Sequence, residues 1–515
     1  MNIKEGIPCL LSNGSTWAKF DDLKAKGVDF NGTDNLIRNG EIVYSDRGGT
    51  DMFTLPKIYE AEHTLAKNIL RVRNSSPKYP VKSDAEIKVL IDEAEKKVGI
   101  TLCDEQRNAV SMALQNQLLV LTGGPGTGKT STLNCIDYAL RKSGYSSILY
   151  TAPTGKAARR ISESTGKEAT TLHKVIGVTK DKIIPTTLNA EVVIVDEVSM
   201  LDTDIANIFF QTVPSHMKVI FVGDIEQLPS VGSGAVLRDM IKSEVVPVAR
   251  LLKTFRQGAD SLIITNLKNI RDGIPELYNA NDFQVFMPNE KYSAVDELTT
   301  LYLSEYKRLG GNDDLVLLTP FRNRKYESSA EAMNIRLQKL INPCGDACVV
   351  NSDIFRVGDP VIQLENRKEV ANGDVGRVIE ASSTGLKVKY VDCEVTYARS
   401  ELESGQLSLA YAMSIHKSQG SEYKSVITCL LNENGPMLKR NLLYTAVSRA
   451  KKNCFLVCEN KDTEILAPKE NDRIPVPRLR FYSGNEDAVN KAIMTEASRE
   501  RNTMLSELLQ FESRM

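Results

Sequence analysis

The sequence has almost no charge imbalance, few histidines and no long apolar stretch. Its 515 residues carry 65 lysines and arginines against 66 aspartates and glutamates, a net charge of −1. Such a chain can bind a polyanion only through local basic patches, not through a global positive field. No window approaches the ~18 consecutive apolar residues of a membrane span. The four histidines are far apart and show no metal-ligand spacing.

The nine cysteines form no C-x-x-C pattern. Cys344 and Cys348 are separated by three residues, as are Cys454 and Cys458. A zinc site from these four is one interpretation, but buried free thiols fit the apolar run CFLVC better. Free thiols suit a reducing compartment. The N-terminus has an acidic residue and a proline where a signal peptide needs an apolar run, so we expect a cytoplasmic protein, in a host cell if it is viral.

Apolar runs separated by helical patterns predict a parallel α/β fold. Helical segments between several runs imply parallel pairing with right-handed crossovers. Runs this apolar are typical of strands buried on both faces; they are residues 118–122, 147–151, 191–195 and 218–222. Ligands of such sheets bind at the carboxyl ends of the strands.

The regions before and after these predicted strands have a different sequence pattern. Residues 1–55 show turn signals and one candidate hairpin, and a small winged-helix-like module with Trp17 as a core anchor would fit them. Residues 353–400 read as short strands between turns, which predicts a small β-barrel or sandwich. The tail from residue 483 reads as one charged amphipathic helix.

Residues 123–130, GGPGTGKT, fit the phosphate-loop pattern G-x-x-x-x-G-K-[ST] between a strand and a helix. Glycines let several backbone N–H groups point at one phosphate chain, and the helix N-terminus adds its positive end. Lys129 supplies a charge for the β- and γ-phosphates, and Thr130 supplies a hydroxyl for Mg²⁺. A packing turn without a ligand is the alternative, but the strand and helix around the motif favour nucleotide binding.

A second apolar strand ends in two carboxylates. Asp196 is placed to hold Mg²⁺, and Glu197 to accept a proton from the water that attacks the γ-phosphate. Gln227, after the next strand, is a candidate sensor of the γ-phosphate. Arg256 and Arg449 are candidate cations that stabilise charge during phosphoryl transfer.

The motifs, and the order in which they follow each other along the chain, resemble those of superfamily 1 helicases of the RecD-like branch, related to Dda-type phage helicases. The resemblance covers roughly residues 56–460. The matching blocks are LCDEQRNAV with Gln106, GGPGTGKT, TAPTGKAARR, VIVDEVSM, VGDIEQLPSVGSG, LLKTFRQ, YAMSIHKSQGSEYKSV and LLYTAVSRAKK. Residues 1–55 are not explained by it.

The resemblance implies an α/β fold with two RecA-like domains built on parallel sheets and an SH3-like β-barrel insert in the second. The implied organisation is a small N-terminal α+β or helical module (1–55), a helical linker (56–100), a first RecA-like domain (101–250) with a pin-like hairpin (172–190), a second RecA-like domain (251–345 and 409–465), the insert (346–408) and a helical tail (466–515).

It also implies ATP and Mg²⁺ as ligands and hydrolysis between the two RecA-like domains. The implied nucleotide-binding residues are Gln106, Gly124, Pro125, Gly126, Thr127, Gly128, Lys129, Thr130, Ser131 and Glu422. The implied DNA-binding residues are Pro153, Thr154, Lys156, His173, Phe321, Arg322, Ser414, His416 and Lys417. The expected partners are single-stranded DNA, single-strand/duplex junctions and replication or repair proteins, and the expected state is a monomer without membrane contact.

Three functions fit these motifs. The first is an ATP-dependent helicase that moves 5′ to 3′ on single-stranded DNA. The second is a nucleotide-switched module that loads partners on DNA, for which loss of Glu197, Gln227, Arg256 or Arg449 would be expected; all four are present. The third is a translocase that separates duplex poorly, and the shortness of the candidate pin is the relevant feature.

Overall fold

The chain divides into two compact units in a computed structural model. The first contains residues 1–153, 157–256 and 497–515, and the second contains residues 154–156 and 257–496. The structure describes residues 1–178, 187–255, 261–288, 293–311, 314–367, 369–459, 463–467, 476–482, 488–495 and 501–514. Residues 179–186 of the candidate pin, and Arg256, lie outside these residues. No helix in the described ranges is long and apolar enough to cross a membrane.

A six-stranded parallel sheet forms the centre of the first unit. Its strands, in spatial order, are Ala169–Thr171, Ile148–Ala152, Val192–Val195, Lys218–Gly223, Leu118–Gly123 and Val248–Leu251. The four predicted strands are therefore confirmed. The two edge strands were missed because they are short and carry fewer apolar residues.

Helices cover both faces of this sheet. They are Pro56–Arg73, Asp84–Val98, Asp104–Gln115, Lys129–Lys142, Gly155–Thr165, Leu172–Val175, Thr203–Thr212 and Val236–Lys242, with a 3₁₀ turn at Val198–Met200. Two apolar clusters, one on each face, share the alternating side chains of the strands. This arrangement leaves the carboxyl ends of the strands open to loops, as a RecA-like domain requires.

The N-terminal residues form a module of three helices and a three-stranded antiparallel sheet. Its helices are Ile3–Leu11, Phe20–Ala25 and Thr33–Arg38, and its strands are Ala18–Lys19, Asp51–Thr54 and Val43–Asp46. The predicted hairpin is present, with Val43 opposite Thr54 and Asp46 opposite Asp51. Trp17 is fully buried. The winged-helix comparison stays a prediction.

The C-terminal segment returns to the first unit. Helix Leu505–Glu512 packs on Pro56–Arg73 and Val236–Lys242 and adds Leu505, Leu508 and Leu509 to their core. The prediction of one charged amphipathic helix after residue 483 is wrong: the described tail has two short helices, Ala488–Met494 and Leu505–Glu512. Each buries its own apolar residues in a different unit, so no single helical face runs through the tail.

The second unit is built on a five-stranded parallel sheet. Its strands, in spatial order, are Phe283–Phe286, Ala450–Cys458, Tyr423–Leu430, Leu315–Thr319 and Ala412–Ser414. Its helices are Leu262–Arg271, Ala294–Arg308, Ala330–Ile341, Arg440–Ser448 and Ala488–Met494, with 3₁₀ turns at Ile415–Ser418 and Asn432–Met437. A smaller antiparallel sheet contains Glu276–Tyr278, Arg478–Phe481 and Thr463–Leu466. Two parallel-sheet domains are thus confirmed.

A β-rich segment interrupts the second unit between Ile341 and Ala412. It begins with the hairpin Ala347–Val350 and Asp353–Arg356. A five-stranded antiparallel sheet follows, in the order Glu394–Ala398, Gly385–Lys389, Val375–Ser382, Pro360–Gln363 and Leu407–Leu409, with a helix at Arg399–Glu403. The short β-strands expected for this insert are present. Its likeness to an SH3 barrel stays a prediction.

Candidate functional site

The phosphate loop links strand Leu118–Gly123 to helix Lys129–Lys142. Gly126 and Gly128 have φ angles of 74° and 80°, a region that favours glycine. A Cβ at position 123 would lie 2.6 Å from Thr127 Oγ1 and 2.9 Å from the carbonyl oxygen of Leu251. The glycines are therefore required by the tight path of the loop over the edge of the sheet.

Lys129 directs its ammonium group into this loop. Its Nζ donates to the carbonyl oxygens of Gly123 at 2.6 Å and Gly124 at 2.9 Å. Thr127 Oγ1 donates to the same Gly124 carbonyl at 2.9 Å. The lysine charge therefore lies within the phosphate loop. Thr130 and Ser131 follow Lys129 in the first turn of the helix. The contacts of these residues and of Pro125 with a nucleotide stay a prediction.

Gln106 braces the loop from the side. Its Nε2 donates to the carbonyl oxygen of Thr127 at 3.1 Å, while its Oε1 accepts from the backbone of Cys103 at 3.0 Å. Phe255 was not among the predicted residues. Its N–H donates to the Gly126 carbonyl at 2.7 Å, and about half of its surface is exposed (49%). In the sequence, the only signal for Phe255 was an aromatic residue directly before the candidate cation Arg256.

Asp196 and Glu197 leave strand Val192–Val195 in a constrained turn. The Asp196 N–H donates to Thr151 O at 2.9 Å, and the Glu197 N–H donates to Asp196 Oδ1 at 2.8 Å. Glu197 has a φ of 53°, which is uncommon for a residue with a side chain and typical of functional sites. Its Oε1 lies 3.8 Å from Nη1 of Arg160. Arg160, which was not among the predicted site residues, thus lies beside the candidate catalytic base.

The carboxyl of Asp196 lacks full charge compensation. Burial, followed by the charge of Glu197, raises its pKa, and the charges of Lys129 and Arg160 oppose that rise. A cation at this carboxylate would offset the cost of keeping it ionised. Carboxylate and hydroxyl oxygens are the ligands that Mg²⁺ prefers, so Asp196 and Thr130 fit this ion.

Asp224, which was not among the predicted residues, belongs to the same site. Its carboxylate accepts from the Glu226 N–H at 3.1 Å and from Gln227 Nε2 at 3.4 Å. Burial raises the pKa of Asp224, and the nearby charge of Lys129 lowers it. A carboxylate directly after a buried strand, as in VGD, was the signal that could have identified it. Asp224 thus orients Gln227 and faces the charge of the phosphate-loop lysine.

In the second unit, Arg449 ends helix Arg440–Ser448 and is almost fully buried. Its guanidinium donates to the carbonyl oxygens of Thr445 at 3.1 Å and Ser421 at 3.2 Å. The neighbouring Glu422 lies 3.5 Å from Lys451 Nζ. The predicted cation and the predicted nucleotide contact therefore lie side by side, directly before the first residues of two neighbouring strands, where Tyr423 pairs with Ala450.

A second group of predicted residues lies at the opposite, carboxyl edge of the same sheet. Thr319 and Ser414 are partners on neighbouring parallel strands, so the loops that carry Phe321 and His416 leave the sheet side by side. Burial lowers the pKa of His416, which favours a neutral ring. Lys417 Nζ donates to Asn372 Oδ1 at 2.9 Å, which ties this loop to the β-rich insert.

Two of the predicted DNA-binding side chains, Arg322 and Phe321, also contact other side chains of the protein. Arg322 Nε lies 3.3 Å from Glu331 Oε1, so part of its charge is compensated. The ring of Phe321 packs 5.1 Å from that of Tyr326. Phe321 and Arg322 remain candidates for contact with single-stranded DNA, because both side chains are at least partly exposed to solvent.

The remaining predicted contacts lie near the strand Ile148–Ala152. Pro153 and Thr154 follow this strand directly, and Lys156 lies in the first turn of helix Gly155–Thr165. His173 is exposed on the short helix Leu172–Val175. Their role in DNA binding stays a prediction.

Comparisons with known proteins agree with the motif order. An AAA domain family matches residues 101–285, and a UvrD-like helicase C-terminal domain family matches residues 409–457. The ATP-dependent RecD2 DNA helicase of Deinococcus radiodurans is 31% identical over 429 residues, which cover 82% of this chain and 58% of that protein. The chain thus spans little more than half of this relative.

The RecBCD enzyme subunit RecD of Mycobacterium tuberculosis is 30% identical over 429 residues, 74% of this chain and 73% of that protein. Among solved structures, Bacteroides Pif1 bound to ssDNA shares 22% identity with a TM-score of 0.43, over 69% of this chain and 92% of that chain. That superposition is too weak for a comparison of folds. The RecD match extends over most of both proteins and confirms the resemblance seen in the motifs: this chain belongs to the RecD-like family of superfamily 1 DNA helicases.

Proposed function

We propose that the protein is an ATP-dependent DNA helicase that moves 5′ to 3′ on single-stranded DNA and separates duplex ahead of it. The convergence of Lys129, Asp196, Glu197 and Asp224 at one edge of a RecA-like sheet carries this proposal. These groups influence each other electrostatically, as expected of a single phosphoryl-transfer site.

In the proposed reaction, water attacks the γ-phosphorus of ATP and the bond to the β–γ bridging oxygen breaks. Glu197 accepts the proton of this water, and Arg160 Nη1 lies 3.8 Å from its carboxylate. Lys129 and the backbone of residues 123–130 hold the phosphates. Mg²⁺ bound by Thr130 and Asp196 would neutralise charge on the β- and γ-oxygens.

In this proposal, turnover of ATP depends on closure of the two domains. This dependence comes from Gln227, Arg256 and Arg449. Gln227 reports the γ-phosphate, and the two arginines stabilise the charge that develops on it. Hydrolysis then takes place between the two RecA-like domains, 101–250 and 251–345 with 409–465. Phe255 offers an exposed ring for stacking on the adenine base, next to Gln106.

The DNA track of the proposal follows the strand ends that carry Thr154, Phe321 and His416. Lys156, Arg322 and Lys417 neutralise backbone phosphates, and Phe321 stacks on a base. Pro153, His173 and Ser414 complete the contacts, and residues 172–190 act as the pin. We infer a cytoplasmic monomer that works with replication or repair proteins on single-strand/duplex junctions.

ATP hydrolysis measured with and without single-stranded DNA tests the proposal. We expect single strands to stimulate hydrolysis, and blunt duplex to stimulate it much less. Equal hydrolysis with and without DNA would contradict a DNA-driven motor. The RecD2 and RecD relatives, named as a DNA helicase and as a RecBCD subunit, support DNA as the substrate.

A further inference from the structure

Arg501, from the C-terminal segment, holds the loop that follows Gln227. Its Nη1 donates to the carbonyl oxygen of Gly234 at 2.5 Å and to that of Gly232 at 3.3 Å. Its Nη2 donates to the carbonyl oxygen of Ser230 at 2.6 Å, and Nη1 also contacts Ser230 Oγ at 3.2 Å. One guanidinium therefore binds three carbonyls of a single loop, residues 228–234, which we name the sensor loop.

The sensor loop is held from two further sides. The N–H of Gly234 donates to the carbonyl oxygen of Gly14 in the N-terminal module at 2.8 Å, and the Thr203 N–H donates to Ser233 O at 2.9 Å. A Cβ at position 234 would lie 1.9 Å from Thr203 Oγ1, and one at position 14 would lie 2.4 Å from Arg501 Cζ. Close backbone packing thus limits the movement of this loop.

The segment that carries Arg501 is itself firmly anchored. Asn502 O accepts from the N–H groups of Thr16 at 2.8 Å and Trp17 at 3.0 Å. The Met504 N–H donates to the buried carboxyl of Glu62 at 3.1 Å. Because the next residues form the helix Leu505–Glu512 in the core, Arg501 acts from a rigid support.

The sensor loop begins directly after Gln227. Leu228 is buried, so the first residue of the loop is fixed by packing as well as by hydrogen bonds further along. A shift of residues 228–234 would therefore move Gln227 and its contact with Asp224. Such a contact matters because small displacements at a phosphoryl-transfer site lower the rate strongly.

We propose that Arg501 is a positioning residue for ATP hydrolysis, which fixes the sensor loop so that Gln227 is held ready for the γ-phosphate. The inference rests on the proposed function for its kinetic consequence. It assigns a role to two parts of the chain outside the helicase motifs: the C-terminal segment supplies the guanidinium, and the N-terminal module supplies its support.

The test compares the full-length protein with Arg501→Ala and Arg501→Lys. Arg514→Ala is the matched control, since Arg514 is exposed in the same C-terminal segment. We expect Arg501→Ala to lower kcat of DNA-stimulated ATP hydrolysis about tenfold or more, while KM for ATP stays within about twofold. A lysine ammonium has its three donors on one atom and lacks the planar fork that reaches Ser230 and Gly234 from two nitrogens, so Arg501→Lys should fall between.

Amide hydrogen exchange of residues 228–234 is the second readout and needs no activity. We expect faster exchange in both Arg501 variants and wild-type exchange in Arg514→Ala. If Arg501→Ala does not fold, Arg501→Lys decides the question alone. Unchanged exchange, or an unchanged kcat despite faster exchange, would overturn the inference. Absence of ATP hydrolysis in the wild-type protein would instead overturn the proposed function. Amide hydrogen exchange of residues 228–234 would still show whether Arg501 holds the sensor loop.

Discussion

The indole Nε1 of Trp17 donates a hydrogen bond to Glu62 Oε2 across 3.0 Å, and both side chains are fully buried. The same carboxyl accepts from Thr16 Oγ1 at 2.8 Å and from the Met504 N–H at 3.1 Å. Glu62 therefore joins the N-terminal module, the helix Pro56–Arg73 and the C-terminal segment at one point.

Stability of this junction should fall as pH rises from about 4.5 to about 7. Burial raises the pKa of Glu62 to about 7; the charge of Asp239 adds to the rise, and the hydrogen bonds from Thr16, Met504 and Trp17 oppose it. The folded state thus binds a proton that the unfolded chain releases near 4.5, and this contribution, about 3 kcal/mol at most, is lost as Glu62 ionises. Arg47 is the positively charged group that interacts with the charge of Glu62.

Fluorescence of Trp17 can follow this titration because the chain has a single tryptophan. We expect its emission to change with a midpoint near pH 7 and the urea midpoint to fall between pH 5 and pH 8. Glu62→Gln cannot ionise, so both changes should disappear in that variant. The same fluorescence titration in Glu62→Gln as in the wild type would show that another group is responsible.

Lys129→Ala should reduce ATP hydrolysis by about a thousandfold or more, because the lysine supplies the charge within the phosphate loop. Steady-state phosphate release in the presence of single-stranded DNA measures the effect. Lys142→Ala is the control, since Lys142 is exposed at the far end of the same helix. Comparable losses in the two variants would argue against a specific role of Lys129.

Glu197→Gln should separate binding from turnover. The amide keeps the shape of the side chain but cannot accept the proton, so we expect ATP affinity within about threefold of wild type and a kcat lower by about 10²–10⁴. A fluorescent ATP analogue measures affinity, and Glu163→Gln, exposed on helix Gly155–Thr165, is the control. Strong DNA-stimulated ATP hydrolysis in Glu197→Gln would show that Glu197 is not the catalytic base.

Lys417→Ala should weaken binding to single-stranded DNA without changing hydrolysis of ATP in the absence of DNA. If Lys417 neutralises one phosphate, the slope of log affinity against log salt should become shallower by about 0.7. Fluorescence anisotropy at several salt concentrations measures both, with Lys389→Ala on the β-rich insert as the exposed control. An unchanged slope would remove Lys417 from the DNA track.

The strand ends that carry Lys129, Asp196 and Gln227 were predictable because buried parallel strands are marked by continuous apolar runs. The junction around Glu62 and Arg501 was not. Thr16 and Asn502 are 486 residues apart, and no local pattern encodes a hydrogen bond over that separation. The pairing of Arg160 with Glu197 was hidden for a similar reason: a helix and a loop that follow different strands meet only once the sheet has formed.

Unwinding of duplexes with a 5′ tail, a 3′ tail or no tail tests the central claim most directly. A fluorophore and quencher on the two strands report strand separation after ATP is added, and Lys129→Ala shows what remains without hydrolysis. We predict unwinding of the 5′-tailed duplex and of neither other substrate. Unwinding from the 3′ tail alone would contradict the proposed direction, and no unwinding in the presence of DNA-stimulated hydrolysis would favour a translocase.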